Sequence, residues 1–228
     1  MKRRGADRLD RPRVRLLTSV LAAACVVSLG ALVWVVLQWR LPGNDIGYAP
    51  RQPIEFSHRL HSTDLEIACR YCHPGALTDR HAGMPAAQTC MTCHQFVLAP
   101  SQAVKDEQWQ AAREGRRVRR VVSDEMRKLL RAQGLDESLQ RDPRLVPTTI
   151  EWVRVARLPD FAYFHHGAHA RVGVECTECH GAVETFDQMR QDRRLTMGAC
   201  VACHRTTNRQ GINGQPVRAS LDCVACHR

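Results

Sequence analysis

The sequence predicts a mainly irregular chain with short α-helices and little sheet, behind one N-terminal transmembrane helix. Three observations carry this expectation. A run of 24 residues from Leu16 to Trp39 holds no charge. Aromatic residues make up only 5% of the 228-residue chain, and its long polar stretches are poor in Ile, Leu and Phe, so side chains alone would build a thin core. Ten of the eleven cysteines fall in five identical C-x-x-C-H frames, each expected to sit on a short helix.

Taken in order, residues 1–15 form a basic tail with Lys2, Arg3, Arg4, Arg8, Arg11, Arg13 and Arg15 against Asp7 and Asp10. Residues 16–39 follow as the anchor, about 36 Å long as a helix and sufficient to cross a bilayer. The excess of basic charge before it places the N-terminus in the cytoplasm and everything after it on the opposite side. Trp34 and Trp39 fall where an outer interfacial belt would lie, and Arg40 closes the segment. The run is too long for the apolar part of a cleaved signal peptide, and no clear cleavage site follows it. A lipoprotein reading through Cys25 lacks the larger aliphatic residue three places earlier. Cys25 reads as a small apolar residue in lipid. Residues 40–53, rich in Pro and Gly, read as an extended linker.

The five frames are CRYCH (Cys69, Cys72, His73), CMTCH (Cys90, Cys93, His94), CTECH (Cys176, Cys179, His180), CVACH (Cys200, Cys203, His204) and CVACH (Cys223, Cys226, His227). Structural zinc would pair two knuckles per metal, and five do not pair evenly. A thioredoxin-like site uses one C-x-x-C. Disulfides impose no such spacing. Covalent c-type haem accounts for every position, with two thioethers to the porphyrin and a proximal His under the iron. Five covalently bound c-type haems are therefore expected, and the haems would supply the interior that side chains do not. Their attachment takes place on the outer side of the bacterial inner membrane, the side to which the charge bias sends residues 41–228. The net charge of +10 is half accounted for by residues 1–15, and haem propionates offset the remainder, so the basic composition is no argument for nucleic acid.

A repeat organises the frames. Phe56-Ser-His58-Arg-Leu-His61 and Phe164-His-His166-Gly-Ala-His169 both read F-x-H-x-x-H, and each precedes two frames. The plan is a first haem pair in residues 54–100 and a second pair plus a terminal haem in residues 151–228. Low-spin haems take a sixth ligand, usually His or Met. On a helical turn, positions i and i+3 share a face, so His58 with His61, and His166 with His169, can serve two neighbouring irons as distal ligands. His81 and His165 are spare imidazoles. The fifth distal ligand is contested between Met197, three residues before Cys200, and His81, with Met189 a weaker thioether; a methionine ligand would raise that haem's potential.

Residues 101–150 hold no Cys or His and read as a helical insert. Ser101 is the expected N-cap of a helix ending at Gly115. Ser123 is the expected cap of a second, with Met126, Leu129 and Leu130 on one face and Gly134 as its stop. Arg113, Arg116, Arg117, Arg119 and Arg120 form a basic cluster, either a solvated face or a docking site for a partner or anionic lipid.

The double F-x-H-x-x-H arrangement resembles class III-type multihaem cytochromes. More closely, IEFSHRLH, IACRYCH, HAGMPAAQTCMTCH, WVRVARLPDFAYFHHGAH and LTMGACVACHR resemble the membrane-anchored pentahaem subunit of bacterial alternative complex III over about residues 52–205. Ala156 and Ala199 stand where that family often has His and Trp. The resemblance implies a periplasm-facing haem wire, not itself an enzyme. Its partners would be iron–sulfur and quinol-binding membrane subunits of a respiratory complex, and electrons would pass to a periplasmic cytochrome or oxidase. The rivals are a membrane-anchored multihaem quinol dehydrogenase feeding a periplasmic reductase, and a multihaem nitrogen-oxide enzyme, which needs an open iron.

Overall fold

The computed structural model describes residues 11–38 and 45–227. Lys2, Arg3, Arg4 and Arg8 of the basic tail, Trp39, Arg40 and residues 41–44 of the linker lie outside the described residues. Helix α1, Arg11–Gln38, belongs to a compact unit distinct from the rest of the chain. Its stretch Val14–Leu37 is long and apolar enough to cross a membrane. Leu, Val and Ala surround this helix on all sides, which is the pattern of a lipid-facing helix and not of an amphipathic one.

The remaining unit is helical and irregular. Among the described residues there is no strand, only isolated bridges such as Ala162 with His227. Its α-helices are α2 (Cys69–Cys72), α3 (Ala87–His94), α4 (Ser101–Glu114), α5 (Asp124–Ala132), α6 (His166–Arg171), α7 (Cys176–His180), α8 (Met197–Gln210) and α9 (Cys223–Cys226). A π-turn over Arg59–Asp64 and 3₁₀ turns over Pro74–Leu77 and Val183–Thr185 complete the order.

The insert forms the two expected helices, with one correction at a cap. Ser101 is the first helical residue of α4, and Pro100 is its N-cap, because the Pro100 carbonyl already accepts from the Val104 amide at 3.3 Å. Gly115, at φ +63°, stops the helix in the left-handed region. Ser123 caps α5 through its side chain, which accepts from the Met126 amide at 3.3 Å.

The face read from Met126, Leu129 and Leu130 packs inward. Leu129 and Leu130 join Ile54, Met91, Leu98 and Val122 in one apolar cluster, with Met126, Ile150 and Trp152 against its edge. The insert and the first pair of frames thus share a side-chain core. Leu130 is 1% exposed. Leu130→Ala is expected to cost about 2–5 kcal/mol through lost burial and a residual cavity. Thermal unfolding followed by far-ultraviolet circular dichroism should show a lowered midpoint with unchanged haem content.

One charge of the basic cluster, Arg116, is tied down inside the insert. Arg116 forks onto Glu107, with one contact at 3.0 Å, and also reaches Glu114. The Arg119 amide donates to the same Glu107 carboxylate at 2.8 Å, and Arg120 donates to the Glu137 carbonyl at 3.2 Å. These bonds from Arg116 and Arg119 lower the Glu107 pKa to about 2. A carboxylate depressed in the folded state stabilises above its unfolded pKa and loses that contribution as pH falls through the folded value. The insert should therefore weaken between about pH 4.5 and 2, and Glu107→Gln should flatten that part of an acid titration.

Candidate haem-binding sites

The cysteines of each frame lie on one of five helices, α2, α3, α7, α8 and α9, and His73 and His227 follow α2 and α9 as their C-caps. In helical geometry the two cysteines and the following His, at i, i+3 and i+4, face the same side. All ten frame thiols are free. Burial, first, pushes up the thiols of Cys72, Cys90, Cys176, Cys179 and Cys200, which holds them as neutral groups beside one another.

The two F-x-H-x-x-H segments make the same aromatic clamp in different backbones. Phe56 meets His58 edge-on at 4.9 Å and stacks on His61 at 4.3 Å. Phe164 meets His166 edge-on at 4.8 Å and stacks on His169 at 4.5 Å. The second copy is a turn of α6. The first differs from the expected α-helical turn: the Leu65 amide reaches the Leu60 carbonyl at 3.0 Å, a π-type bond, and Glu66 follows at φ +55°.

These segments bring the spaced histidines to the frame histidines. His61 stands opposite His94 with ring centroids 6.1 Å apart, His166 opposite His180 at 6.3 Å with rings 7° from parallel, and His169 opposite His204 at 6.1 Å. With metal–nitrogen bonds of about 2 Å, and about 1.1 Å from nitrogen to ring centre, two axial imidazoles on one ion stand about 6.2 Å apart. The gaps are one iron wide. His58 is half-buried, and desolvation, then His73, His61 and His180, lower its pKa to about 4. By the repeat it answers to His166, and His73 to His180.

Nitrogen by nitrogen, the set is prepared for a metal. The Nδ1 atoms of His61, His73, His94, His166, His169 and His204 lie 2.6–3.2 Å from the backbone carbonyls of Ser57, Gly83, Val97, Arg80, His165 and Ser220. A carbonyl only accepts, so Nδ1 carries the proton and Nε2 is left as the free lone pair. Burial also lowers His166 and His180, favouring the neutral, ligating form. Among the described residues no three His, Cys, Asp or Glu side chains converge on a point, as a tetrahedral zinc site would need. The imidazole pairs and the thiols beside them fit a flat iron-centred group.

Four residues fall outside this pattern. His165 accepts at Nδ1 from the Ala168 amide at 3.3 Å and so is the N-cap of α6, a role its sequence neighbours do not reveal. His81 is exposed, in the loop beside His166. Met197 is the first residue of α8, 70% exposed and one turn ahead of Cys200. His227 has the Phe161 ring at 5.8 Å, where His94, His180 and His204 face an imidazole.

The family model for cytochrome c7 and related cytochrome c matches residues 162–228, from α6 through the last three frames. This part of the chain is thus a cytochrome c7-like multihaem segment. Over nearly the whole chain there is similarity to the multiheme cytochrome c subunit of menaquinone reductase from Nitratidesulfovibrio vulgaris (strain Hildenborough). That protein is 24% identical over 221 residues, with 87% of each chain covered.

Proposed function

We propose that this chain is a pentahaem electron carrier of a membrane quinone-oxidoreductase complex, anchored in the bacterial inner membrane by α1 with residues 45–228 on the periplasmic side. The observation that carries the reading is the set of imidazole pairs one iron apart, each beside a C-x-x-C-H frame. The ten frame cysteines form the thioethers, and His73, His94, His180, His204 and His227 are the proximal ligands. His58, His61, His166 and His169 are the distal ligands of the first, second, third and fourth frames. Met197 is the favoured distal ligand of the fifth, because α8 also carries the segment leading to that frame, with His81 as the alternative. When bound, each haem supplies a one-electron Fe(III)/Fe(II) couple. The chain fixes the tautomer of six of these imidazoles and holds three pairs of rings one iron apart. The chain's role in this reading is to carry electrons, with no substrate turned over by this subunit alone.

The repeat and the Trp152–His169 string support a complex of the alternative complex III type, in which quinol is oxidised and a periplasmic cytochrome or oxidase is reduced. A second reading runs the flow the other way, into the quinone pool, and is favoured by the name of the relative from Nitratidesulfovibrio vulgaris. Affinity purification from native membranes should bring down an iron–sulfur subunit and multi-span quinone-binding subunits. Quinol added to that complex should reduce its haems, and a purified monomer should show no steady nitrite or hydroxylamine reduction. Purification of the chain alone, or robust turnover by it, would overturn the proposal. An export-dependent reporter fused after Gly47 is expected to be active, and a cytoplasmic reporter at the same position inactive.

A further inference from the structure

The order of the frames in space is not their order in sequence. His58 and His61 leave one turn, which ties the first and second frames together, and α6 ties the third to the fourth through His166 and His169. What joins the two pairs is the segment just after the first frame. The Gly167 amide donates to the Asp79 carbonyl at 3.0 Å, and the His166 amide to the Arg80 carbonyl at 3.1 Å. A Cβ at Gly167 would stand 2.9 Å from the Leu77 carbonyl oxygen, so the 3₁₀ turn Pro74–Leu77 and α6 touch backbone to backbone. The second frame faces elsewhere: Met91 of α3 is buried in the insert's core with Leu129 and Leu130.

At the other end, α8 holds the segment before the fifth frame. Asn208 clamps Ala219 from both sides, at 2.9 and 2.7 Å, and His204 Nδ1 lies 2.6 Å from the Ser220 carbonyl. Asp222 then caps α9. From these joins we infer that the frames stand in single file as second, first, third, fourth, fifth: Cys90–His94, Cys69–His73, Cys176–His180, Cys200–His204, Cys223–His227.

The same neighbours recur at the thiols: Cys176 lies beside Cys69, Cys179 beside Cys203, and Cys200 beside Cys226. The first frame is thus an internal link although it comes first in the chain. The second and fifth frames are the two ends, and electrons enter and leave the file there.

This order rests on the ligand reading given above, and the test separates the two. The full-length holoprotein, with Cys25→Ser so that thioether-bound cysteines leave no reactive thiol, takes a nitroxide at Phe96→Cys. Phe96 is 81% exposed and two residues past His94. His58→Ala and His166→Ala each remove a proposed distal imidazole and should yield a high-spin ferric signal. That signal's absence would refute the ligand reading, whatever the order. Given the signal, nitroxide relaxation at position 96 should quicken severalfold more with His58→Ala than with His166→Ala. A second nitroxide at Leu221→Cys should respond more to His169→Ala than to His61→Ala. The corresponding His→Gln variants serve the same comparison where an Ala variant does not assemble. An equal or larger response at position 96 to the His166 variant would put the second frame next to the third and overturn the order.

Discussion

Replacing Cys176 and Cys179 together by alanine is expected to reduce accumulation of folded protein to a small fraction of the wild-type level, far more than any single core truncation. In the 151–228 half, the buried apolar side chains among the described residues are Val155 and Phe186. Phe186 is 1% exposed and has the Arg190 guanidinium over its ring at 3.7 Å, so even this residue is half of a polar contact. No cluster there compares with the one around Leu130. A covalently held porphyrin buries several hundred square ångströms of apolar surface, worth about 25 cal/mol per Å², and little else in this half can replace it. The third frame is also central: Cys176 and His180 adjoin the first frame, and Cys179 adjoins the fourth. The measurement is haem content per polypeptide, by haemochrome spectrum, in membranes expressing parent and variant. A stable four-haem protein at parental abundance would show that side chains and not haem hold this half together.

The contrast between the halves explains which features were legible in the sequence. The insert's helices were readable because ordinary rules govern them: Ser123 caps, Gly115 and Gly134 stop, and Leu129 with Leu130 mark the buried face. Only the start of α4 moved, by one residue, since a carbonyl and not a side chain opens that helix. The positions of the frames were legible because covalent attachment requires a fixed local spacing. The pairing of His61 with His94 or His166 with His180 was not, because it depends on how separate segments dock. Nor could the sequence tell that Arg116 closes on Glu107 within the insert, leaving a smaller free basic face than the run of arginines suggests. The π-turn at Arg59–Asp64 was hidden for a different reason. The F-x-H-x-x-H pattern forms an α-turn in the second copy, where Gly167 and Ala168 stand in place of Arg59 and Leu60, and the first copy also carries a bond from the Thr63 hydroxyl to the Glu184 carbonyl at 2.6 Å.

His165 and His166 are adjacent and identical in type, and are expected to fail in opposite ways. The His166 ring stands 6.3 Å from the His180 ring and nearly parallel to it, with Nδ1 on the Arg80 carbonyl and Nε2 free. Under the proposed ligation, His166→Ala leaves the third frame one axial imidazole. The oxidised protein should then show one high-spin ferric centre, and the reduced protein should bind carbon monoxide at one site per chain. His165 uses Nδ1 as an acceptor for the Ala168 amide, so its removal costs a helix cap and no ligand. His165→Ala should lower stability by about 1 kcal/mol, and His165→Asn, which can still cap, should recover most of it. Both His165 variants should keep the parental low-spin spectrum. The readouts are electron paramagnetic resonance of the oxidised protein, carbon monoxide difference spectra and a thermal melt. A high-spin centre from His165→Ala, or a wholly low-spin His166→Ala protein, would exchange the two roles and remove His166 from the ligand set.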